Sequence, residues 1–185
     1  MFWQKEIECL PRPELETLQL HRLRDTVHRV AQHVPFYRDQ LNATGFGAEN
    51  LRTLDDVRRL PFTTNADLRA NYPTGLLALP RSEITRLHTS SGTTGKPKAL
   101  FFSRRDVDLA AELMARCLVM TGTTRDDILQ NMMTYGLFTG ALVMHYGAEK
   151  VGLLVIPAGP GNSERQLLLM QDFRSTVLHI TPSSA

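Results

Sequence analysis

Apolar positions follow two regimes along the chain. After Pro13, residues Leu20, Leu23, Val27, Val30 and Val34 recur at alternating steps of three and four, which draws one apolar stripe along a helix. Pro35 ends or redirects that helix, because its ring removes an N–H and crowds the preceding turn. A second short helix over Phe36 to Leu41 leads into the turn Gly45-Phe46-Gly47. Thr53 with Asp56, and Thr64 with Asp67, have capping-box spacing and mark two more short helices. Residues 1–80 therefore read as a helical N-terminal region that leaves by way of Tyr72-Pro73 and offers no chemical group of its own.

The pattern then changes. Ile84-Thr85-Arg86-Leu87-His88 alternates apolar with polar, and Lys98 to Ser103 forms an apolar run, so two strands flank a polar loop. Ser103 and Asp106 form another capping pair. The helix they open has a face of Val107, Ala110, Ala111, Met114 and Leu118, with Cys117 expected on the apolar side and Gly122 suited to a left-handed exit. From Asp127 onward strands are expected at 127–132, 152–157 and 176–181, with crossover helices over Thr139–Lys150 and Glu164–Phe173. Gly159-Pro160-Gly161 reads as a turn before a Ser163/Gln166 cap. Strands separated by helices pair in parallel through right-handed crossovers. The fold class is thus α/β, a helical layer followed by strand–loop–strand and a βαβαβ parallel unit, with 81–185 as the α/β region. Ligands of such sheets bind beyond the carboxyl ends of the strands, where Tyr135–Gly140 lies.

The 185 residues suit one domain or a large piece of one. With 21 Lys+Arg against 19 Asp+Glu the net charge is only +2, and no basic stripe interleaves with aromatics, which argues against nucleic acid as a partner. Cys9 and Cys117 form neither a disulfide framework nor a paired metal motif. The histidines are scattered, His21 and His28 decorate a helix, and no metal site can be built from protein ligands. Acids among the first residues and the lack of a long apolar run argue against a secretory signal or membrane span, so the expected location is cytoplasmic.

Chemistry concentrates in His88-Thr89-Ser90-Ser91-Gly92-Thr93-Thr94-Gly95-Lys96-Pro97-Lys98. Ser90, Ser91, Thr93 and Thr94 supply O–H donors, Gly92 and Gly95 let the backbone approach a ligand, and Lys96 adds a cation, which together suit a nucleotide's phosphates. A Walker-type loop would need four residues between its glycines, a Ser or Thr after the lysine, and a following helix. Here two residues separate Gly92 from Gly95, Pro97 follows Lys96, and a strand comes next. The composition also suits a solvated turn. Ser91 lacks the strand–nucleophile–helix elbow of a hydrolase.

A second candidate cluster follows the strand at 127–132. Tyr135 and Phe138 could line an apolar acid pocket, with Gly136 and Gly140 allowing close approach. Equally, Gly140, Ala141, Gly147 and Ala148 could serve close helix packing and Phe138 an ordinary core. His145 and Glu149, four apart, could share a helical face as a hydrogen-bonded pair.

The run Thr89–Lys98 resembles the phosphate-loop signature of the adenylate-forming acyl-CoA synthetase superfamily. Tyr72-Pro73, Tyr135–Gly140, His145-Tyr146-Gly147-Ala148-Glu149, Asp172-Phe173 and Thr181-Pro182-Ser183 are similar to phenylacetate–CoA ligases within it. The resemblance runs from about Pro11 to the last residue and implies that 81–185 is part of an AMP-binding α/β region. It implies ATP, Mg2+ and coenzyme A as co-substrates and an aryl acid such as phenylacetate, joined to CoA through an acyl-adenylate with release of AMP and pyrophosphate. It assigns Ser90, Ser91, Gly92, Thr93, Thr94, Gly95 and Lys96 to the phosphates, with Lys96 as the catalytic cation and Lys98 a weaker match. Tyr135, Gly136, Phe138 and Met133 go to the acid, with His145 behind them.

Departures qualify the match. Where family members read Tyr-Gly-Tyr-Gly-Leu-Phe-Thr-Gly-Gly, this chain has Met133-Thr134 for the first Tyr-Gly and Ala141 for the last Gly, and Ser184 stands where an aromatic closes the Thr-Pro-Ser segment. The family's adenine and ribose motifs, hinge and small C-terminal domain have no counterpart here. The expectation is therefore a ligase portion inactive alone, the alternative a non-catalytic nucleotide- or partner-binding remnant. The apolar strand at 176–181 is expected to drive self-association, a homodimer being one form.

Overall fold

The stripe after Pro13 becomes one long helix. In the computed structural model, which describes residues 1–90 and 97–181, a one-turn helix α1 (Lys5–Glu8) precedes α2 (Arg12–His33). Pro13 occupies the first turn of α2, where its missing N–H has no helical partner to lose. Val34 is extended, and Pro35 restarts the chain as α3 (Pro35–Thr44), which ends on Gly45 in the left-handed region at φ 60°. Val27, Leu41, Phe46 and Leu51 close into a core with Leu20 and Leu23 packed against it. The Thr53/Asp56 pair opens a 3-10 helix, Leu54–Arg59, in which Asp56 Oδ2 accepts from Thr53 N at 2.9 Å. The Thr64/Asp67 pair opens α4 (Asn65–Ala70) with reciprocal bonds of 2.8 and 3.2 Å.

Strands β1 (Ile84–Thr89) and β2 (Ala99–Ser103) pair antiparallel, with Leu87 opposite Phe101 and Thr89 opposite Ala99. At the end of β2, Ser103 caps α5 (Arg104–Met120) by accepting from Asp106 N, and Gly122 follows at φ 92°. Val107, Ala111, Ala115, Leu118 and Val119 form the buried face of α5. Cys117 is exposed, contrary to the sequence reading. At 3.6 residues per turn it stands about 200° round the helix from Ala115, so a core containing Ala115 turns Cys117 outward.

Parallel strands β3 (Ile128–Asn131), β4 (Leu154–Ile156) and β5 (Val177–His179) form a sheet in the order β4-β3-β5, crossed by α6 (Thr139–Val151) and α7 (Ser163–Phe173). Leu129, Leu118, Ala148 and Leu153 make the second core, with Val155 and Val177 packed on it. The cap of α7 is Asn162, not Ser163: its Oδ1 accepts from Arg165 N at 3.0 Å while its backbone takes a left-handed φ of 53° that asparagine tolerates. Gln166, freed from capping, is buried, and its Oε1 accepts from Gln130 Nε2 at 2.7 Å beneath the sheet. The N-terminus reaches across to α5, where Trp3 Nε1 and Gln4 Nε2 each donate to Glu112 Oε1 at 2.6 Å. Among the described residues no helix is long and apolar enough to cross a membrane.

Candidate functional site

The hairpin builds the neck of the polar loop. Ser90 N donates to Lys98 O at 3.1 Å, and Lys98 N donates to Ser90 Oγ at 2.9 Å, so the two chains leaving β1 and entering β2 are locked together. Ser90 thus accepts with one lone pair, and its hydroxyl proton meets no acceptor among the described residues. Ser91, Gly92, Thr93, Thr94, Gly95 and Lys96 lie outside the described residues.

Beyond the carboxyl end of β3 runs the segment 132–138. The order β4-β3-β5 sets β3 between its two parallel neighbours, so this segment lies beyond the carboxyl end of the central strand, where ligands of such sheets bind. Asn131 organises this point. Its Nδ2 donates to Ala141 O at 2.9 Å, while its Oδ1 accepts from His179 Nδ1 at 3.0 Å and from Met133 N at 3.3 Å. Asn131 is fully buried, so these bonds satisfy an amide that would otherwise be costly. Burial holds the His179 imidazole below its usual pKa.

Met133 and Tyr135 are half-buried in this segment, whereas Gly136 and Phe138 are exposed. Tyr135 Oη lies 3.1 Å from His145 Nδ1, and His145 Nε2 lies 3.1 Å from Glu149 Oε1, which realises the expected His145–Glu149 pair and extends it to Tyr135. Burial raises the Tyr135 phenol above its ordinary pKa, against a hydrogen bond from Asn131 and with the Glu149 charge adding to the rise, so the hydroxyl stays protonated at neutral pH. A Cβ added at Gly136 or Gly140 would meet nothing within 4 Å among the described residues, whereas one at Gly147 would come 2.5 Å from Met114 Cβ and Cγ. Helix packing therefore accounts for Gly147 but not for Gly136 or Gly140.

The two candidate segments meet at one carbonyl. Leu137 O accepts from Thr89 N at 2.9 Å and faces His88 Nδ1 at 3.1 Å, pinning the 132–138 segment to the root of the polar loop. Phe138 and Thr139 line a broad open groove together with Thr89, Ser90 and Lys98. Phe138, at the N-cap of α6, supplies no side-chain acceptor, so the positive end of the α6 dipole is left to other partners. Among the described residues no group of three His, Cys, Asp or Glu side chains is placed to hold a metal ion.

His88, Asn131 and His179 carry this architecture; sequence placed His88 at the head of the polar stretch without a role and did not single out the other two. A lone polar residue at an inward strand position gives no sign of its partner, and Asn131 and His179 find each other across 48 residues.

No family model matches the chain. Curated relatives do. A phenylacetate–coenzyme A ligase of Thermus thermophilus is 46% identical over 185 residues, all of this chain and 42% of that protein. Enzymes of the same name from Aromatoleum evansii and Escherichia coli K12 are 42% and 41% identical over 177 residues, 96% of this chain and 40% of each. The chain thus spans about two-fifths of the length of the curated relatives it matches. Among solved structures, a 2-hydroxyisobutyryl-CoA ligase in an open conformation with 2-HIB-AMP and CoA superposes with a TM-score of 0.88 at 28% identity, over 98% of this chain and 44% of that one. The same enzyme in its thioesterification state gives 0.89 at 29% identity, over 98% and 40%. Identity above 40% along nearly every residue, the shared fold and the Thr89–Lys98 signature together make this chain a member of the phenylacetate–CoA ligase family of adenylate-forming enzymes, spanning an N-terminal portion of it.

Proposed function

We propose that the chain supplies the phosphate loop and acid pocket of an ATP-dependent ligase that joins an aryl acid such as phenylacetate to coenzyme A. The single observation that carries this reading is the Leu137 carbonyl, which ties the segment bearing Tyr135 and Phe138 directly to the strand that enters the signature loop. An enzyme that joins a carboxylate to a nucleotide needs its acid site and phosphate site side by side.

A free carboxylate is a poor acyl electrophile. In the first half-reaction a carboxylate oxygen attacks the α-phosphorus of ATP, and pyrophosphate leaves with the electron pair of the broken P–O bond. The CoA thiol then attacks the acyl carbon, its proton is lost, and AMP leaves. Ser90, Ser91, Thr93, Thr94 and Lys96 hold the β- and γ-phosphates and stabilise the departing pyrophosphate, while Gly92 and Gly95 let the backbone close on it. Magnesium enters as part of the MgATP substrate. Tyr135, Gly136, Phe138 and Met133 receive the acid, and the uncapped N-terminus of α6 offers partial positive charge to its carboxylate.

Arylacetate-dependent exchange of pyrophosphate into ATP, followed by thioester formation on adding CoA, tests the reading on the full-length protein. Phenylacetate is expected to support both. Absence of exchange with every arylacetate, or strict preference for a short aliphatic acid, overturns it.

A further inference from the structure

His88 is the last inward-facing residue of β1 before the signature loop, and only 1% of its surface is exposed. Its Nδ1 faces a carbonyl oxygen, Leu137 O, at 3.1 Å. A carbonyl can only accept, so Nδ1 carries a proton and donates it. The other ring nitrogen, Nε2, is buried with no hydrogen-bond partner among the described residues. An orphaned buried nitrogen is destabilising, and an apolar side chain edge-on to Phe102 would fill the same space without it. Packing does not explain an imidazole here; the Nδ1–H donor does.

That donor acts on a peptide with a neighbour on each side. Directly before Leu137 stand Tyr135 and Gly136, and directly after it Phe138 and the start of α6. On the other strand, Thr89 N shares the same carbonyl at 2.9 Å, and Ser90, one residue on, is bound to both the N–H and C=O of Lys98. Thr89 alone would keep the segments in contact. The second donor from His88 fixes the plane of the Leu137 peptide, and with it the direction of the residues on either side.

We propose that His88 is a positioning residue that couples the two halves of the site: by orienting the Leu137 peptide it holds the acid segment in register with the phosphate loop, so that nucleotide and acid each raise the other's affinity. This rests on the functional reading above. Linkage makes the coupling reciprocal, and each ligand acts through the same pair of hydrogen bonds.

The coupling is the quantity to measure. Phenylacetate affinity of the full-length protein is determined with and without a saturating α,β-methylene analogue of MgATP, for wild type, His88→Leu and His88→Asn. Asparagine carries its amide nitrogen on Cγ, as histidine carries Nδ1, so it keeps a donor near the same place. Wild type is expected to bind the acid at least about fivefold more tightly with the analogue, His88→Asn to retain that effect, and His88→Leu to reduce it to about one while still binding each ligand alone. Full coupling in His88→Leu, or none in wild type when both ligands bind, overturns the proposal and leaves the functional reading intact. Failure of wild type to bind either ligand overturns both. Independently of any variant, the imidazole 15N spectrum of wild type is expected to show a protonated Nδ1 at His88, and a bare Nδ1 would also overturn the proposal.

Discussion

The Tyr135 hydroxyl and His145 Nδ1 lie 3.1 Å apart, on either side of the turn by which the chain passes from the segment after β3 into α6. Glu149 settles the direction of this bond. Its carboxylate can only accept from His145 Nε2, at 3.1 Å, so in the neutral ring Nδ1 is the acceptor and Tyr135 the donor. The two rings meet edge to face with centroids 5.8 Å apart. Tyr135 is thereby fixed by its polar end, which sets the direction of its aromatic ring.

His145→Ala is expected to free Tyr135 and weaken acid binding. One hydrogen bond is worth about 0.5–1.5 kcal/mol, so KM for an arylacetate should rise roughly twofold to tenfold while kcat and KM for ATP change less. Tyr135→Phe, which retains the ring but loses the bond, should reproduce most of the effect. Steady-state kinetics with each substrate varied in turn check it; a fall in kcat at constant KM would assign His145 to the chemistry instead.

On the proposed function, Lys96→Ala should impair the use of ATP more than the binding of acid, because it removes the cation assigned to the phosphates. A hydrogen bond to a charged group contributes about 1.5–3 kcal/mol, or roughly tenfold to a hundredfold in the pyrophosphate exchange rate. Unchanged exchange kinetics would remove Lys96 from the site.

Glu112 fastens the N-terminus to α5. Burial raises its carboxyl pKa, but hydrogen bonds from Lys150 and Trp3 and the charges of Lys150 and Arg116 outweigh this and hold it below the ordinary glutamate value. Because the folded value is depressed, the contribution to stability is present in full above the unfolded value and is lost as pH falls through the folded one. Trp3 is the single tryptophan, and its indole donates to Glu112 Oε1 at 2.6 Å. Its emission is expected to shift to the red as pH falls below about 4.5, the usual carboxylate range, and to be shifted already at neutral pH in Glu112→Ala. An emission spectrum indifferent to that substitution would refute the attachment.

What sequence disclosed here was local. The three-and-four stripe after Pro13, the Ser103/Asp106 cap and the strand–helix alternation after Asp127 all depend on neighbours a few residues apart, and each formed close to its expected bounds. Cys117 failed because the rotation of α5 is set by α6, not by its own spacing. The cap of α7 moved to Asn162 because the helix begins one residue earlier: a left-handed asparagine accepts from Arg165 N, and Gln166 N, which a Ser163 cap would have sought, bonds Asn162 O within the helix. In the candidate site, the pairing of His145 with Glu149 was readable from helical periodicity. Its extension to Tyr135, the seating of His179 on Asn131 and the bond from His88 to Leu137 were not, since each joins residues that only the tertiary fold brings together.

Two glycines of α6 should answer an alanine substitution in opposite ways. At Gly147 an added Cβ would stand 2.5 Å from Met114 Cβ and Cγ and 3.2 Å from Ala115 N. Met114 could swing its Cγ aside, but its Cβ and the backbone of Ala115 move only if α5 and α6 separate, and Ala115 is itself fully buried at that contact. Overpacking of this kind costs about 1–3 kcal/mol, so Gly147→Ala is expected to lower the melting temperature by roughly 2–10 °C for a domain of this size. At Gly140 the same methyl would meet nothing within 4 Å among the described residues, and the residue lies in the first turn of the helix. There alanine only removes unfolded-chain freedom, and a gain of about 0.4–1 kcal/mol is expected. Thermal unfolding of the two variants side by side decides the matter: equal destabilisation would mean that Gly140 also serves packing, and that the case for an open, ligand-facing start to α6 is wrong.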